Sequence, residues 1–470
     1  MLFHTVEFFW FMVAVLLLVL TLPRATTMWV LLLASYVFYG WSGPWFLALL
    51  LASSITDWAL TNAFASRPKY WKVGIAVSAV VNFSLLAFFK YSNFAFANVN
   101  AALGAAGLPG SLPLLHIILP VGISFYTFQS FAYAVDVLTG RIEPCRSLPR
   151  FLLFVAWFPQ LVAGPIMRAG DLIPQLANVE ERLRGMASRV PMAAALFAEG
   201  WMRKKCADLV APASDAFFSN PAAATSAGAA WGILAFGLQI YADFSGYTKM
   251  AQGASWLFGI RLMENFNLPY AASSVRDFWR RWHISLSTWF RDYLYIPLGG
   301  NRRAPARNYF NLAFTMLVCG LWHGANWTFL LWGAMHGTML IAERVFARAG
   351  KWVPRPVGHV LTLLFVFLAW VPFRAPDLAG TWASYAALAR GGWEAPSLPL
   401  VLGALSLLAV DVYFRLASRR DFDATCDDTR SLKAVGNWRA ACLVAACALL
   451  WSAAHILGHD EVAAFIYFQF

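Results

Sequence analysis

Two histidines and a set of arginines are the residues of this 470-residue chain best suited to chemistry. Between Arg276 and Trp327 it reads RDFWRRWHISLSTWFRDYLYIPLGGNRRAPARNYFNLAFTMLVCGLWHGANW, with His283 and His323 set among aromatics and arginines. A neutral imidazole near pH 7 is suited to take a proton from a hydroxyl. On a helix turning ~100° per residue, Arg276, Arg280, His283, Ser287 and Arg291 share one stripe, with Phe278, Trp282, Leu286, Trp289 and Tyr293 opposite. The guanidinium fork binds phosphate bidentately, so this stripe suits an anionic donor such as a coenzyme phosphate. The plainer reading of such a helix is an anchor at the membrane surface.

His323 stands in GLWHGANW, inside an apolar run from about Phe310 to Met339. An ionisable group in a membrane span is expensive and points to function. Gly320 and Gly324 remove bulk beside the ring, which is expected to let a substrate approach. Asn326, three residues on, is expected on the same helical face, where it can orient the imidazole or hold a substrate carbonyl. His336 faces away and reads as structural. The run YADFSGYTKM puts Asp243 and Lys249 at membrane depth, with Tyr247 one turn from Asp243. Its two readings, a polar clamp between helices and a wall of the donor cavity, both stand.

Metal chemistry is not expected: no Cys, Asp or Glu recurs beside the two histidines at ligand spacing. The six cysteines (Cys145, Cys206, Cys319, Cys426, Cys442 and Cys447) show no ligand spacing either, and no disulfide is expected. No G-x-S-x-G nucleophile motif is present.

The elements that must position these groups are membrane helices. The chain is 60% hydrophobic and 13% charged, where soluble domains carry about 25% charge. Its net charge of +12 lies in short loops between apolar runs. That is the positive-inside pattern of a multi-pass membrane protein, not a nucleic-acid surface. Apolar runs of the ~20 residues needed to span recur along the chain. Expected spans are 5–22, 27–42, 45–62, 73–89, 114–138 (bent at Pro120 to Gly122), 224–260, 357–373, 398–416 and 440–457. Residues 93–113 read as a surface loop, 171–190 as an amphipathic connector, 191–217 as a tilted or interfacial helix, and 418–439 as a basic-acidic loop. Residues 151–164 are short, contain Pro159 and have basic flanks, so they read as re-entrant. The N-terminus carries no cleavage signal and reads as a retained first helix facing outward. No internal repeat is visible, which argues against a transporter. The expectation is one all-α, polytopic membrane domain over residues 1–470, with a core at about 114–342 and C-terminal helices over 357–470.

Several stretches resemble the membrane-bound O-acyltransferase (MBOAT) family, in its bacterial polysaccharide O-acetylation branch, whose acceptors include alginate. They are LPVGISFYTFQSFAYAVDV (Leu119 to Val137), FPQLVAGPIMR (Phe158 to Arg168), YADFSGY, ENFNLPY (Glu264 to Tyr270), RDFWRRWHISLSTWFRDYLYIPLGGNR, GLWHGANW and the terminal FIYFQF. They occur in the family's order; residues 1–110 and 343–455 match in character only. The resemblance implies a helical funnel of ten to twelve transmembrane helices, with re-entrant and interfacial helices and a tunnel between a cytoplasmic donor side and an outer acceptor side. It implies that His323 is the active-site base and His283 the second motif residue. It also implies an inner-membrane enzyme that moves an acetyl group from a thioester, acetyl-CoA, to a hydroxyl, with a periplasmic partner or a polysaccharide as acceptor. A D-alanyl transferase fed by a carrier-protein thioester is the alternative in the same fold, and a transporter the alternative outside it. Lys249 stands where the family often has a second acid.

Overall fold

The computed structural model describes residues 1–41, 43–161, 164–350 and 353–418, and among them no β-strand occurs. The expected 418–439 loop, the 440–457 helix, FIYFQF and Cys426, Cys442 and Cys447 lie essentially outside the described residues. The described residues form two compact units: residues 1–182 with 321–326, and residues 183–320 with those from 327 to 418.

The first unit contains α1 (Val6–Thr21), α2 (Thr27–Gly40), α3 (Pro44–Ala65), α4 (Trp71–Ala105), α5 (Ile123–Leu138), α6 (Leu148–Ala156), α7 (Phe158–Leu161), α8 (Ala169–Ala177) and α9 (Val179–Arg182). α3 and the segment 68–105 are long and apolar enough to cross a membrane, and α1 is a shorter apolar helix. The side chains of Phe9, Trp10, Leu17 and Leu20 on α1 are exposed. In a bilayer such apolar surface faces lipid at no cost.

α4 corrects the sequence reading: residues 93–105 continue the helix rather than form a loop. Asn93 and Asn100 read as loop formers, but each uses its amide on a neighbouring segment. Asn93 accepts from the Leu115 amide at 2.8 Å and donates to the Leu115 carbonyl at 2.8 Å. Asn100 does the same with Leu112 at 2.7 and 2.9 Å. Residues 108–122 are correspondingly not helical, so the expected 114–138 helix begins only at Ile123. Gly122 starts it with φ 76°, and a side chain there would overlap the Leu161 carbonyl.

The segment expected to be re-entrant is two short helices, α6 and α7, broken at Trp157 and too short to span. The break is fully covered, with Phe154, Val155 and Trp157 at 0% exposure. The Phe154 carbonyl, freed by the break, accepts from the side-chain amides of Gln129 and Gln160, each at 2.8 Å. Irregular backbone inside a membrane protein needs this kind of internal satisfaction.

The second unit contains α10 (Met186–Ser219), α11 (Ser226–Leu257), α12 (Val275–Arg281), α13 (Ile284–Phe290), α14 (Pro305–His323, whose last three residues belong to the first unit), α15 (Trp327–Arg348), α16 (Arg355–Arg374), α17 (Leu378–Ala387) and α18 (Leu398–Ser418). α16 meets the length and apolarity of a membrane span, and its Leu361, Leu364 and Leu368 are exposed along one face.

Glycines let the helices of this unit approach closely. A methyl group at Gly200 would overlap the Gly246 carbonyl, and one at Gly253 the Ala193 carbonyl, so α10 and α11 touch backbone to backbone. α14 and α15 repeat the device, with Gly320 against the Phe329 carbonyl and Gly333 against the Met316 carbonyl. Gly320 therefore serves helix packing, which corrects its expected role of opening space beside His323.

Candidate active site

The Arg276-to-Arg291 stripe does not form. α12 ends at Arg281, and His283 takes a left-handed conformation (φ 43°, ψ 56°) before α13 begins. That conformation is rare outside glycine and costs of order 1–3 kcal/mol, so its surroundings must enforce it. They do so through the ENFNLPY stretch. The Asn267 amide donates to the Arg281 carbonyl and the Ile284 amide to the Asn265 carbonyl, each at 2.9 Å.

Asn265 then fixes the His283 ring. Its Oδ1 accepts from the Ser285 amide at 3.1 Å and the Ser285 hydroxyl at 2.9 Å. A backbone N–H demands an oxygen, so the amide orientation of Asn265 is determined. His283 Nδ1 lies 3.2 Å from the same Oδ1 and must carry the proton, which leaves the lone pair on Nε2. Phe244 packs edge-on against the ring at 4.7 Å. His283 lies between two seven-residue helices, neither long enough to cross a bilayer. Burial pushes its pKa down to about 3, so the ring is neutral.

The break redistributes the rest of the expected stripe. Ser287 donates to the Trp282 carbonyl at 3.1 Å and so secures the break itself. Arg291 pairs with Asp292 at 2.7 Å and opens a π-turn over Arg291–Tyr295. Arg276 and Arg280 remain together, on a cleft of about 770 Å3 that is also lined by Ser273, Ser274, Asp277, Arg281, Arg355 and His359. Its one acid, Asp277, is held by Arg281 at 2.9 Å. Arg276, Arg280 and Arg355 have no carboxylate partner among the described residues. The amides of Val275 and Arg276 are already taken by the Glu343 carboxylate. An anion in the cleft would therefore meet guanidinium groups rather than the helix end.

Sequence reasoning missed Arg281, Arg355 and His359. Arg355 opens a span about eighty residues from Arg276, and nothing in local spacing links the two. Asn265 in ENFNLPY and Ser285 in RDFWRRWHISLSTWF have no local spacing that signals their part in holding His283.

His323 is the last residue of α14 and is 6% exposed. Its ring stands edge-on to Trp322 at 5.0 Å. The helix stops there, which corrects the expectation that His323 lies mid-helix with Asn326 on its face. Asn326 is a half-buried residue of the turn before α15. His336 is the structural histidine expected: the Trp279 indole donates to its Nδ1 at 3.2 Å, and Trp332 and Phe365 pack around the ring.

Asp243 is 2% exposed and paired with Lys204 at 3.0 Å, so it joins α10 to α11 as a polar clamp. Tyr247 is buried on the same helix at 1% exposure. Beside them Arg203 binds Glu199 and Asp411 at 2.8 Å each. Lys249 pairs with Glu264 of ENFNLPY at 2.9 Å.

Residues 145–381 match the membrane-bound O-acyltransferase family. The chain is 43% identical over 377 residues to the probable alginate O-acetylase AlgI of Azotobacter vinelandii, covering 78% of this chain and 74% of that one. The chain belongs to the MBOAT family. This MBOAT protein is also 35% identical to the peptidoglycan O-acetyltransferase of Helicobacter pylori, over 76% of its own length and 72% of the relative's. It is 28% identical to the teichoic acid D-alanyltransferase of Bacillus subtilis, over 52% of its own length and 64% of the relative's. As an MBOAT enzyme it is an integral membrane acyltransferase, and its helices match that class.

Proposed function

We propose that this enzyme transfers an acetyl group from acetyl-CoA, across the inner membrane, to a hydroxyl for the O-acetylation of an extracytoplasmic polysaccharide of the alginate type. His323 is the base. It takes the hydroxyl proton as that oxygen attacks the thioester carbonyl; the C–S bond breaks, and the leaving thiolate recovers the proton from the imidazolium. His283, neutral and fixed by Asn265, orients or polarises a reactant. A periplasmic partner protein or the polysaccharide itself accepts the acetyl group.

The observation that carries the donor side is the arginine cleft. Three guanidinium groups without a carboxylate partner among the described residues line an open cleft of about 770 Å3, within the ~300–1,000 Å3 typical of small-molecule sites. Such a group of like charges suits a ligand bearing several phosphate charges. Arg276 and Arg280 bind it from α12, and Arg355 and His359 from α16. Family membership sets the transporter reading aside. A D-alanyl donor held on a carrier protein stays the second reading, supported by the lower similarity to teichoic acid D-alanyltransferases.

The test is His323→Ala in the full chain. The variant is expected to insert in the membrane at wild-type levels and to lose polysaccharide O-acetyl esters by at least about a hundredfold. Acetylation that persists in the variant would overturn the assignment.

A further inference from the structure

Lys90 and Tyr91 are neighbours on α4, within the segment 68–105 that is long and apolar enough to cross a membrane. A lysine there is costly unless it is used. Both side chains converge on the end of the helix that carries His323. The Tyr91 hydroxyl donates to the Leu321 carbonyl at 2.6 Å. The Lys90 ammonium donates to the Trp322 carbonyl at 2.5 Å and to the His323 carbonyl at 2.9 Å.

Leu321, Trp322 and His323 are the last three residues of α14. Carbonyls there have no amide partner inside the helix and need one from outside. Many helices meet this need with a glycine turn or a nearby basic side chain of their own. Here a second helix supplies the donors, and its ammonium also complements the negative end of the helix dipole. The same ammonium lies 5.9 Å from the Trp322 ring centroid. That ring rests on Phe125 and Phe128 at 5.4 Å each and presents its neighbour His323 at 5.0 Å. The backbone of His323 and the aromatic wall of its ring are thus both tied to Lys90.

We propose that Lys90, assisted by Tyr91, is a positioning residue for His323: it locks the end of α14 so that the imidazole is held in one orientation. The proposal rests on His323 being the base. A mere fold clamp would change how much protein folds. A positioning residue changes turnover per folded molecule while donor binding stays the same.

The experiment uses inverted membrane vesicles containing the full chain, radiolabelled acetyl-CoA as the donor probe, and alkali-labile acetyl esters per folded molecule as the readout. Wild type and His323→Ala come first: equal ester formation in the two would sink the base reading and leave Lys90 without a role to support. With turnover that depends on His323, Lys90→Met is expected to lower the maximal rate by about a hundredfold. The apparent KM for acetyl-CoA should stay within about twofold of wild type, because donor binding is untouched. Lys90→Arg, which keeps a cationic donor at the helix end, is expected to return the rate to within about tenfold of wild type. Wild-type turnover in Lys90→Met overturns the proposal, as does a loss that Lys90→Arg fails to restore. If Lys90→Met does not insert, Lys90→Gln and Tyr91→Phe are read by the same criteria, each expected to lower turnover without moving KM.

Discussion

The Nδ1 of His283 lies 3.2 Å from Oδ1 of Asn265, and that one oxygen also accepts the amide and the hydroxyl of Ser285. Asn265→Ala would strand these donors in a buried site. A loss of about 2–3 kcal/mol in unfolding free energy is expected, together with reduced acyl transfer. Thermal unfolding in detergent measures the first and ester formation the second. An unchanged melting temperature would mean that Asn265 does not hold the ring.

The buried, neutral His283 makes stability depend on pH in one direction. Its pKa is about 3 in the folded chain and about 6.5 when unfolded. Above the unfolded value neither state takes the proton, and the full stability is present. As pH falls below it, the unfolded state binds a proton that the folded state refuses, so stability declines towards the folded value. The melting temperature is therefore expected to drop between about pH 7 and pH 5, and His283→Gln should make that drop shallower. An identical slope in the variant would exclude His283 as a source.

In the arginine cleft, Arg276→Ala, Arg280→Ala and Arg355→Ala are each expected to raise the KM for acetyl-CoA by roughly tenfold or more, the value of one hydrogen bond between charged partners. The maximal rate should change little, because the contact is made equally in ground and transition states. Ser287→Ala and Arg291→Ala, whose partners are the Trp282 carbonyl and Asp292, should leave that KM alone. Steady-state kinetics on all five separates a cleft from the continuous stripe.

Gly320→Ala and Gly333→Ala push a methyl group into the Phe329 and Met316 carbonyls. Each is expected to cost about 1–3 kcal/mol by forcing α14 and α15 apart. Gly104→Ala, in α4, meets no atom within 4 Å and is the control expected to be neutral or mildly stabilising. Melting temperatures of the three variants in detergent check the contrast.

Asp243→Asn removes one partner of a buried pair and leaves Lys204 with Asp208 at 2.7 Å. Breaking such a pair costs about 3–5 kcal/mol. Stability should fall while the KM for acetyl-CoA in the remaining folded protein holds. A raised KM at unchanged stability would instead return Asp243 to the donor site.

The membrane class, the span at 357–373 and the apolar helix at 398–416 are legible in the residues alone, and His323 is conspicuous among them. Lipid demands unbroken apolar runs of a set length, and it makes any ionisable group inside them stand out. Lys90 satisfies the same criterion, set as it is in LLAFFKYSNF, and the signal was available for it too. Tertiary structure alone decided the break at His283. The helical period runs through Trp282 and Ile284 without interruption, and the left-handed turn exists because Asn265 and Asn267, in the irregular stretch before α12, capture that backbone. It also decided that Arg355 joins Arg276, that Asn93 lies in a helix, and that α14 stops at His323 under a lysine from another helix. Periodicity reports what one segment prefers in its own frame. Where a backbone amide, carbonyl or guanidinium finds its partner far along the chain, only the packed structure holds the answer.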